Sequence, residues 1–595
     1  MLSPPPRSRH RAVETRNQVE ETITLLVCGV KLTHDGGVAL LDGQDVVFSV
    51  EMEKLDNNER YSTVEDLEVI PHILGEFGYR LADVDVVAVD GWETGSVRRR
   101  LGGREIEVPL AGYREQSTAA DVCEPQVAGS LDFAGHPLPY RSYTHVAGHV
   151  AAAYCTSPFA ADGAPALVLT WDGGMFPRLY EVRPGGRSVR PLGHVFPVIG
   201  HVYAAAGHHF GPFLDGRERT ANGLYDQSVE LSIAGKLMAY IALGAPSETA
   251  LELIRESYAH HFESDSEVAR EYRAEITGNG LIEERSMVYI HAFYEQIRKR
   301  ARQHDISDED VLASVHRFFQ DLLVDRLAAK VESVKGAGGR WNLCFGGGCA
   351  LNIKWNNALR EHPLFADVWV PPFPNDSGSP IGAAASHLVH ATGSTALRWN
   401  VRGGPRLAPA EPTGWRRDDC SVAELAAVLH DTGEPVVVLD GRAELGPRAL
   451  GGRSIIAPAV RPAMKDRLNE MKGRAPYRPV APICLAEHAP EVFDPGTSDP
   501  YMLFEHRVRP EWLDRVPAIA HLDGTARLQT VSVDDDATTY ALLRHYHARS
   551  GIPVLCNTSA NYNGSGFFPD VASAARWGRA DRIWSRGVLY TKQEE

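Results

Sequence analysis

The eight cysteines of the chain (Cys28, Cys123, Cys155, Cys344, Cys349, Cys420, Cys484 and Cys556) form no CxxC pair and no dense cluster. That absence argues against a disulfide framework and a cysteine zinc site, and it fits reduced thiols in a reducing compartment. No stretch approaches the roughly 18 to 20 uninterrupted apolar residues of a membrane span, and Met1 to Glu21 carries prolines and charges but no apolar signal core. A cytoplasmic protein with no membrane partner is therefore expected. Basic charge is also short: 61 Lys and Arg stand against 77 Asp and Glu, a formal net charge of −16. Gripping a nucleic acid backbone needs clustered excess cations, so no nucleic acid partner is expected, while a locally basic phosphate pocket stays open. The absence of a Walker lysine pattern argues against a P-loop NTPase.

At 595 residues the chain is too long for one hydrophobic core, and 44% hydrophobic with 23% charged residues is an ordinary globular balance. Residues 1–23 are polar and aperiodic and read as a disordered leader. Three short β-branched runs follow (Thr24 to Val30, Val38 to Leu41, Val46 to Glu51), with a His34-Asp35-Gly36-Gly37 turn after the first, and predict a strand meander. The same grammar restarts at Ala166, with Leu167 to Thr170, the Asp172-Gly173-Gly174 turn and Leu179 to Val182. This internal duplication predicts two α/β lobes around a nucleotide cleft over residues 24–395. The Ala-, Leu-, Glu- and Arg-rich stretch 247–334 predicts a helical insertion. Residues 396–416 are rich in Gly and Pro and read as a linker, and 417–595 as a separate α/β domain.

His145 and His149 sit in an Ala-rich segment predicted to be helical, so their spacing puts both imidazoles on one face. Such a pair is a natural metal clamp, or merely two packing histidines; the glutamate of a zinc-protease HExxH is missing. Asp172 and Asp376 each stand ahead of glycines at a predicted strand or loop end. Two His and two Asp would hold one divalent ion and leave positions open for substrate oxygens, whereas each Asp alone reads equally as a turn or helix cap. Gly346-Gly347-Gly348 and Asn352 follow an apolar strand and precede a predicted helix, an arrangement that offers bare amides to a phosphate. Gly235-Lys236 reads as another nucleotide-side turn, or as a surface Lys after a loop Gly. Farther on, Arg448 and Arg453 lie among glycines and Arg474-Ala-Pro-Tyr-Arg478 adds further guanidinium groups suited to a small dianionic phosphate. Asn557 and Thr558 end an apolar strand in groups that could hold a carbamoyl amide or a ribose.

Together these segments resemble the O-carbamoyltransferases of antibiotic biosynthesis, relatives of the nodulation carbamoyltransferases. The resemblance rests on His34-Asp35-Gly36, His145-xxx-His149, Asp172-Gly-Gly, Gly346 to Asn352, Asp376-Ser-Gly-Ser, Gly446-Pro-Arg-Ala-Leu-Gly451, Arg478-Pro-Val-Ala-Pro and Asn557-Thr-Ser. It implies an actin-like (ASKHA) duplicated N-terminal domain with a helical insertion, and a YrdC-like C-terminal α/β domain. It further implies that carbamoyl phosphate and ATP give carbamoyl-adenylate in the C-terminal domain, with transfer of the carbamoyl group to a small-molecule alcohol in the N-terminal one. On this resemblance His145, His149, Asp172 and Asp376 hold a divalent metal (iron, with magnesium or manganese as alternatives). Arg448, Arg478, Asn557, Thr558 and Arg453 hold carbamoyl phosphate or the adenylate. His34 with Asp35 is the expected catalytic pair, His34 acting as general base on the acceptor hydroxyl. A homodimer is the expected assembly. The pairing of Lys31-x-x-His34 with Glu53-Lys54 is most similar to the branch that carbamoylates hydroxymethyl cephems. The usual Glu-Glu-Arg with a nearby Lys is replaced here by Glu51 to Arg60. Two other readings share part of this pattern: a tRNA threonylcarbamoyl transferase, which the acidic charge opposes, and a non-catalytic nucleotide-binding module, which would not need the arginine cluster.

Overall fold

The computed structural model describes residues 25–55, 59–115, 120–185, 188–213, 227–277 and 282–593. The expected leader, residues 1–23, lies outside the described residues. The chain opens with β1 (Leu26–Lys31), β2 (Gly37–Asp42) and β3 (Asp45–Glu51), an antiparallel meander. Every residue of β1 is buried, which explains its nearly continuous apolar sequence; the exception is Lys31. β4 (Val86–Asp90) then pairs parallel to β1, followed by β5 (Val127–Phe133) and β6 (His136–Tyr143), giving the order β3-β2-β1-β4-β6-β5.

The meander repeats as β7 (Ala166–Thr170), β8 (Arg178–Val182) and β9 (Val189–His194). It is joined by β10 (Trp341–Gly346), parallel to β7, and β11 (Phe365–Trp369), in the order β9-β8-β7-β10-β11. The two sheets share one core order, so the second lobe repeats the first. Helices Glu248–Tyr258, Glu267–Thr277, Ile282–Gln303 and Asp308–Lys335 lie between β9 and β10.

Two helices bring the lobes together: α1 (His145–Cys155) and α4 (Ser379–Thr392), while α3 (Ile353–Glu361) flanks the second sheet and α2 (Gln227–Tyr240) packs against the helix Asp308–Lys335. The α1–α4 crossing depends on glycine, because a Cβ at Gly382 would stand 2.0 Å from the Gly148 carbonyl oxygen. The N-terminal end of α4 also seats directly on β1, where a Cβ at Gly29 would stand 1.9 Å from the Pro380 oxygen.

The C-terminal part is a third, eight-stranded mixed sheet. Its strands are β12 (Trp415–Asp419), β13 (Val436–Leu439), β14 (Arg453–Pro458), β15 (Ala481–Leu485), β16 (Gln529–Val531), β17 (Val554–Ser559), β18 (Arg582–Ser585) and β19 (Val588–Lys592). Their order is β12-β19-β18-β13-β14-β17-β15-β16. The Gly- and Pro-rich segment before it is not slack. Arg398 pairs with Asp45, Arg402 with Asp536 and Glu444, the Gly403 oxygen accepts from Ser49 N and the Gly404 amide donates to Ala443 O.

Candidate active site

α1 carries His145 and His149 one turn apart, both buried, and their Nε2 atoms approach to 3.0 Å. Asp376, in the turn that enters α4, puts Oδ1 at 3.3 and 3.4 Å from these nitrogens; Asp172, just after β7, puts Oδ2 at 3.8 and 3.9 Å. One ligand atom from each of the four lies within 4.8 Å of the others. The donors converge because Asp172 follows the end of β7 by two residues and the Gly29 and Gly382 contacts press α4 against both β1 and α1.

Surrounding groups orient each donor. Asp90, at the end of β4, accepts from His145 Nδ1 at 2.7 Å; a carboxylate can only accept, so a proton sits on Nδ1 and Nε2 is the nitrogen turned toward the cluster. Burial opposes charge on His145, but the carboxylates of Asp90 and Asp376 outweigh it and raise its pKa well above the usual imidazole range. Asp376 is pulled the other way. Burial would raise its pKa, yet Lys31, His145 and His34 hold it well below the ordinary carboxylate value. Asp172 accepts from the Gly348 amide at 2.6 Å and from the Tyr113 hydroxyl at 2.8 Å. Trp92 borders the cleft, its ring 5.1 Å from His34 and 5.6 Å from Tyr113.

His34 stands at the rim. Its Nε2 lies 3.5 Å from Asp376 Oδ2 and its Nδ1 3.3 Å from Asp35 Oδ2, and at 34% exposure its side chain is reachable from solvent. Asp35 holds φ 53°, which turns its carboxylate back toward the imidazole.

The donor set fits a metal ion. Two imidazole nitrogens that face each other, with two carboxylates aimed at the same small volume, gain little from one another without a shared cation. Asp376 Oδ2 makes no hydrogen bond among the described residues beyond its ion pairs with Lys31 and His34.

A second constellation lies in the C-terminal part. Arg448, Arg474, Arg478, Arg527 and Lys472 lie within electrostatic reach of one another or of Arg60, which the N-terminal lobe contributes. Burial and these cationic neighbours push Arg448 down to about 10 and Arg474 to about 9. A guanidinium stays charged under such conditions, so the shift records burial first and crowding of like charge second. Arg448 Nε and Arg527 Nε are buried without a hydrogen-bond partner, and Asp499, the carboxylate nearest in influence to Arg527, is spent on the Leu503 and Phe504 amides. Thr558 accepts from Arg474 at 3.0 Å; Asn557 donates to Ala449 O and Gln529, leaving its Oδ1 buried and unpartnered.

The two constellations are fastened together. The Lys54 ammonium donates to the Glu444 and Gly446 carbonyls at 2.8 and 2.7 Å and pairs with Glu51 at 2.6 Å, while Glu51 accepts from the Gly446 amide. Gly446 has φ 78°, and a Cβ there would stand 2.1 Å from the Pro372 oxygen in the loop leading to Asp376. The strap 59–62 gives carbonyls to the Asp35 and Gly36 amides, and its own Arg60 amide donates to Gly564 O of the C-terminal part at 2.8 Å.

Three sequence-based expectations change. Gly235 and Lys236 lie inside α2 rather than in a turn, because the Ser232 to Met238 stretch continues the helix without a breaker. Gly347 and Gly348 do not present bare amides: Gly347 donates to Pro374 O and Gly348 to Asp172, so the glycine turn of Gly346 to Gly348 braces the histidine–aspartate cluster. Asn352 caps α3 through its side-chain oxygen, and its Nδ2 is buried without a partner. Arg453 is turned away from the cationic group, its guanidinium donating to the carbonyls of Asp440, Gly441 and Gly452. Asp90, Tyr113, Lys31, Arg60, Lys472 and Arg527 were missed as site residues. Asp90, Tyr113 and Arg527 carry no spacing signal; the available clues were Lys31 three residues before His34 at the close of an apolar strand and Lys472 two residues before Arg474.

Two lobes of repeated topology hold a buried histidine–aspartate cluster, and the C-terminal part carries a group of crowded cations. Residues 26–385 match the family model for the carbamoyltransferase N-terminus and residues 426–583 that for the carbamoyltransferase C-terminus. The chain belongs to the carbamoyltransferase family. It is 48% identical over 577 residues to nodulation protein U of Rhizobium tropici, covering 95% of this chain and 96% of that one. The 3'-hydroxymethylcephem-O-carbamoyltransferase of Streptomyces clavuligerus is 32% identical over 569 residues, covering 93% and 96%. The nodulation relative matches at the higher identity, so the cephem branch suggested by Lys31 and Lys54 is not the nearer of the two. Among solved structures, an activator of 2-hydroxyisocaproyl-CoA dehydratase from Clostridium difficile aligns at TM-score 0.32 and 13% identity, covering 62% of this chain and 97% of that one, too weak a likeness to build on.

Proposed function

We propose that the protein is an ATP-dependent O-carbamoyltransferase that activates carbamoyl phosphate in a YrdC-like C-terminal domain and transfers the carbamoyl group to an alcohol of a small-molecule natural product in the N-terminal cleft. The observation that carries this reading is the cationic pocket: several buried or half-buried guanidinium groups crowd together with unpartnered N–H groups, a state that a polyanion would relieve. Water attacks the phosphorus of carbamoyl phosphate there, the bridging P–O bond breaks, and phosphate leaves carbamate behind; a carbamate oxygen then attacks the α-phosphorus of ATP and expels pyrophosphate. Arg448, Arg474 and Arg478 offset the charge on the phosphates, and the Asn557 Oδ1 can accept from the carbamoyl NH2.

Transfer follows in the cleft. The acceptor hydroxyl adds to the carbamoyl carbon, its proton passes to His34 Nε2, and AMP leaves. Asp35 at Nδ1 keeps the imidazole in the tautomer whose Nε2 can take that proton. His145, His149, Asp172 and Asp376 would hold a divalent ion, iron being the first candidate, which supplies Lewis-acid polarisation when bound. No helix among the described residues is long and apolar enough to cross a membrane.

The test is pyrophosphate release from ATP by the purified protein, with and without carbamoyl phosphate. Release only with carbamoyl phosphate supports the reading. Release indifferent to carbamoyl phosphate, or none with a divalent ion supplied, removes it.

A further inference from the structure

Lys31 is absorbed by none of the steps above. Its side chain is fully buried at the end of β1, and its ammonium stands 3.0 Å from Asp90 Oδ2 and 3.0 Å from Asp376 Oδ2. The Trp92 ring centroid lies 4.8 Å away on another side. The placement is built into the backbone: Gly29 lets the start of α4 settle on β1, and Gly37 leaves room for the Pro380 ring, so Asp376 is carried over the ammonium.

The two oxygens of Asp376 consequently face different company. Oδ1 looks at the two imidazoles, at 3.3 and 3.4 Å; Oδ2 looks at Lys31 and, more distantly, His34. A carboxylate with both oxygens free can close on a metal ion as a chelate and fill two coordination positions. With an ammonium fixed on Oδ2, chelation would have to break a buried ion pair, so Oδ1 alone is offered. The same ammonium offsets Asp90, whose charge is needed to orient His145.

On the reading that the histidine–aspartate cluster holds a divalent ion, we propose that Lys31 is a positioning residue that keeps Asp376 a one-oxygen ligand and thereby holds a coordination position free for a substrate oxygen. A lysine that merely braces the fold would, when removed, loosen the site and weaken metal binding. A lysine that restrains a ligand and contributes positive charge beside the ion would, when removed, tighten metal binding while costing an exchangeable position.

Mn2+ titration of the full chain, read by the signal of free Mn2+ and by the water-proton relaxivity of the bound ion, separates these. Lys31→Gln is expected to bind Mn2+ about tenfold more tightly than wild type, with relaxivity per bound ion reduced as an inner-sphere water is lost. Lys31→Arg, which keeps the charge, is expected to stay within about threefold of wild type with relaxivity retained. Weaker or unchanged Mn2+ binding in Lys31→Gln, or unchanged relaxivity, overturns the proposal. Should the Gln variant fail to fold, loss of relaxivity in a folded Lys31→Arg protein overturns it as well. Wild-type Mn2+ binding that survives His149→Ala would show instead that the metal reading beneath it is wrong.

Discussion

The two pockets of this protein solve opposite electrostatic problems. In the N-terminal cleft charge is matched group by group: Lys31 sits between Asp90 and Asp376, and His145 between Asp90 and the cluster. In the C-terminal pocket Arg448, Arg474, Arg478, Arg527, Lys472 and Arg60 repel one another with little acid among them. A matched site is complete in itself apart from a small cation. An unmatched one is held together by the surrounding fold and awaits a ligand to relieve it, so ligand binding should stabilise the protein far more there.

The largest effect should come from cutting the cleft out of the sequence of events. His149→Ala is expected to lower carbamoyl transfer by about 10³-fold, near 4 kcal/mol, while carbamoyl-phosphate-dependent pyrophosphate release stays within about threefold. Equal loss of both would mean that the pockets are one site. Next comes the seam. Lys54→Met strands the buried Glu51 carboxylate and frees the Gly446 loop, and should cost about 3 kcal/mol in denaturant unfolding. Little change would show that the Gly446 loop is seated by packing alone.

Arg448→Ala sharpens the contrast from the other side. Pyrophosphate release should fall about 100-fold, near 2.7 kcal/mol, yet the ligand-free protein should melt a few degrees higher, because one repelling charge is gone. A lower melting temperature would show that Arg448 is a structural cation. The smallest effect concerns the arm that reaches back to α3. Burial raises the Asp523 pKa, but the Lys354 ammonium and Thr525 more than offset it and bring it down to about 2. A depressed carboxylate stabilises the fold above its unfolded pKa and loses that contribution as pH falls toward 2. Asp523→Asn should therefore cost about 1 kcal/mol at pH 7 and steadily less as pH falls toward and through 2, read from melting curves across that range.

Sequence reasoning went furthest where a pattern is local. The His145 and His149 pair needed only helical spacing, and the repeated meander needed only short β-branched runs around an Asp-Gly turn. Asp172 and Asp376 could be nominated by their glycine neighbours, but their meeting depends on Gly29, Gly148 and Gly382 letting backbones touch across a long chain separation. Arg453 was misjudged because a guanidinium among glycines reads the same whether it binds a phosphate or three backbone carbonyls. Lys236 was misjudged because a Gly-Lys pair inside a helix resembles a turn until the flanking residues are seen to continue the helix. Arg60 and Arg527 were out of reach: each stands alone in sequence, and only the folded chain brings them beside Arg448 and Arg478.

The strap 59–62 has a practical meaning for anyone recombining relatives of this chain. The natural place to cut would be the Gly- and Pro-rich stretch before the third sheet, leaving the strap with the first half. Its Arg60 amide, however, is bonded to Gly564 and its side chain faces the C-terminal arginines. A chimera joined at that stretch would inherit a foreign rivet, and the exchangeable module is better drawn as the C-terminal sheet together with this short excursion from the opening lobe.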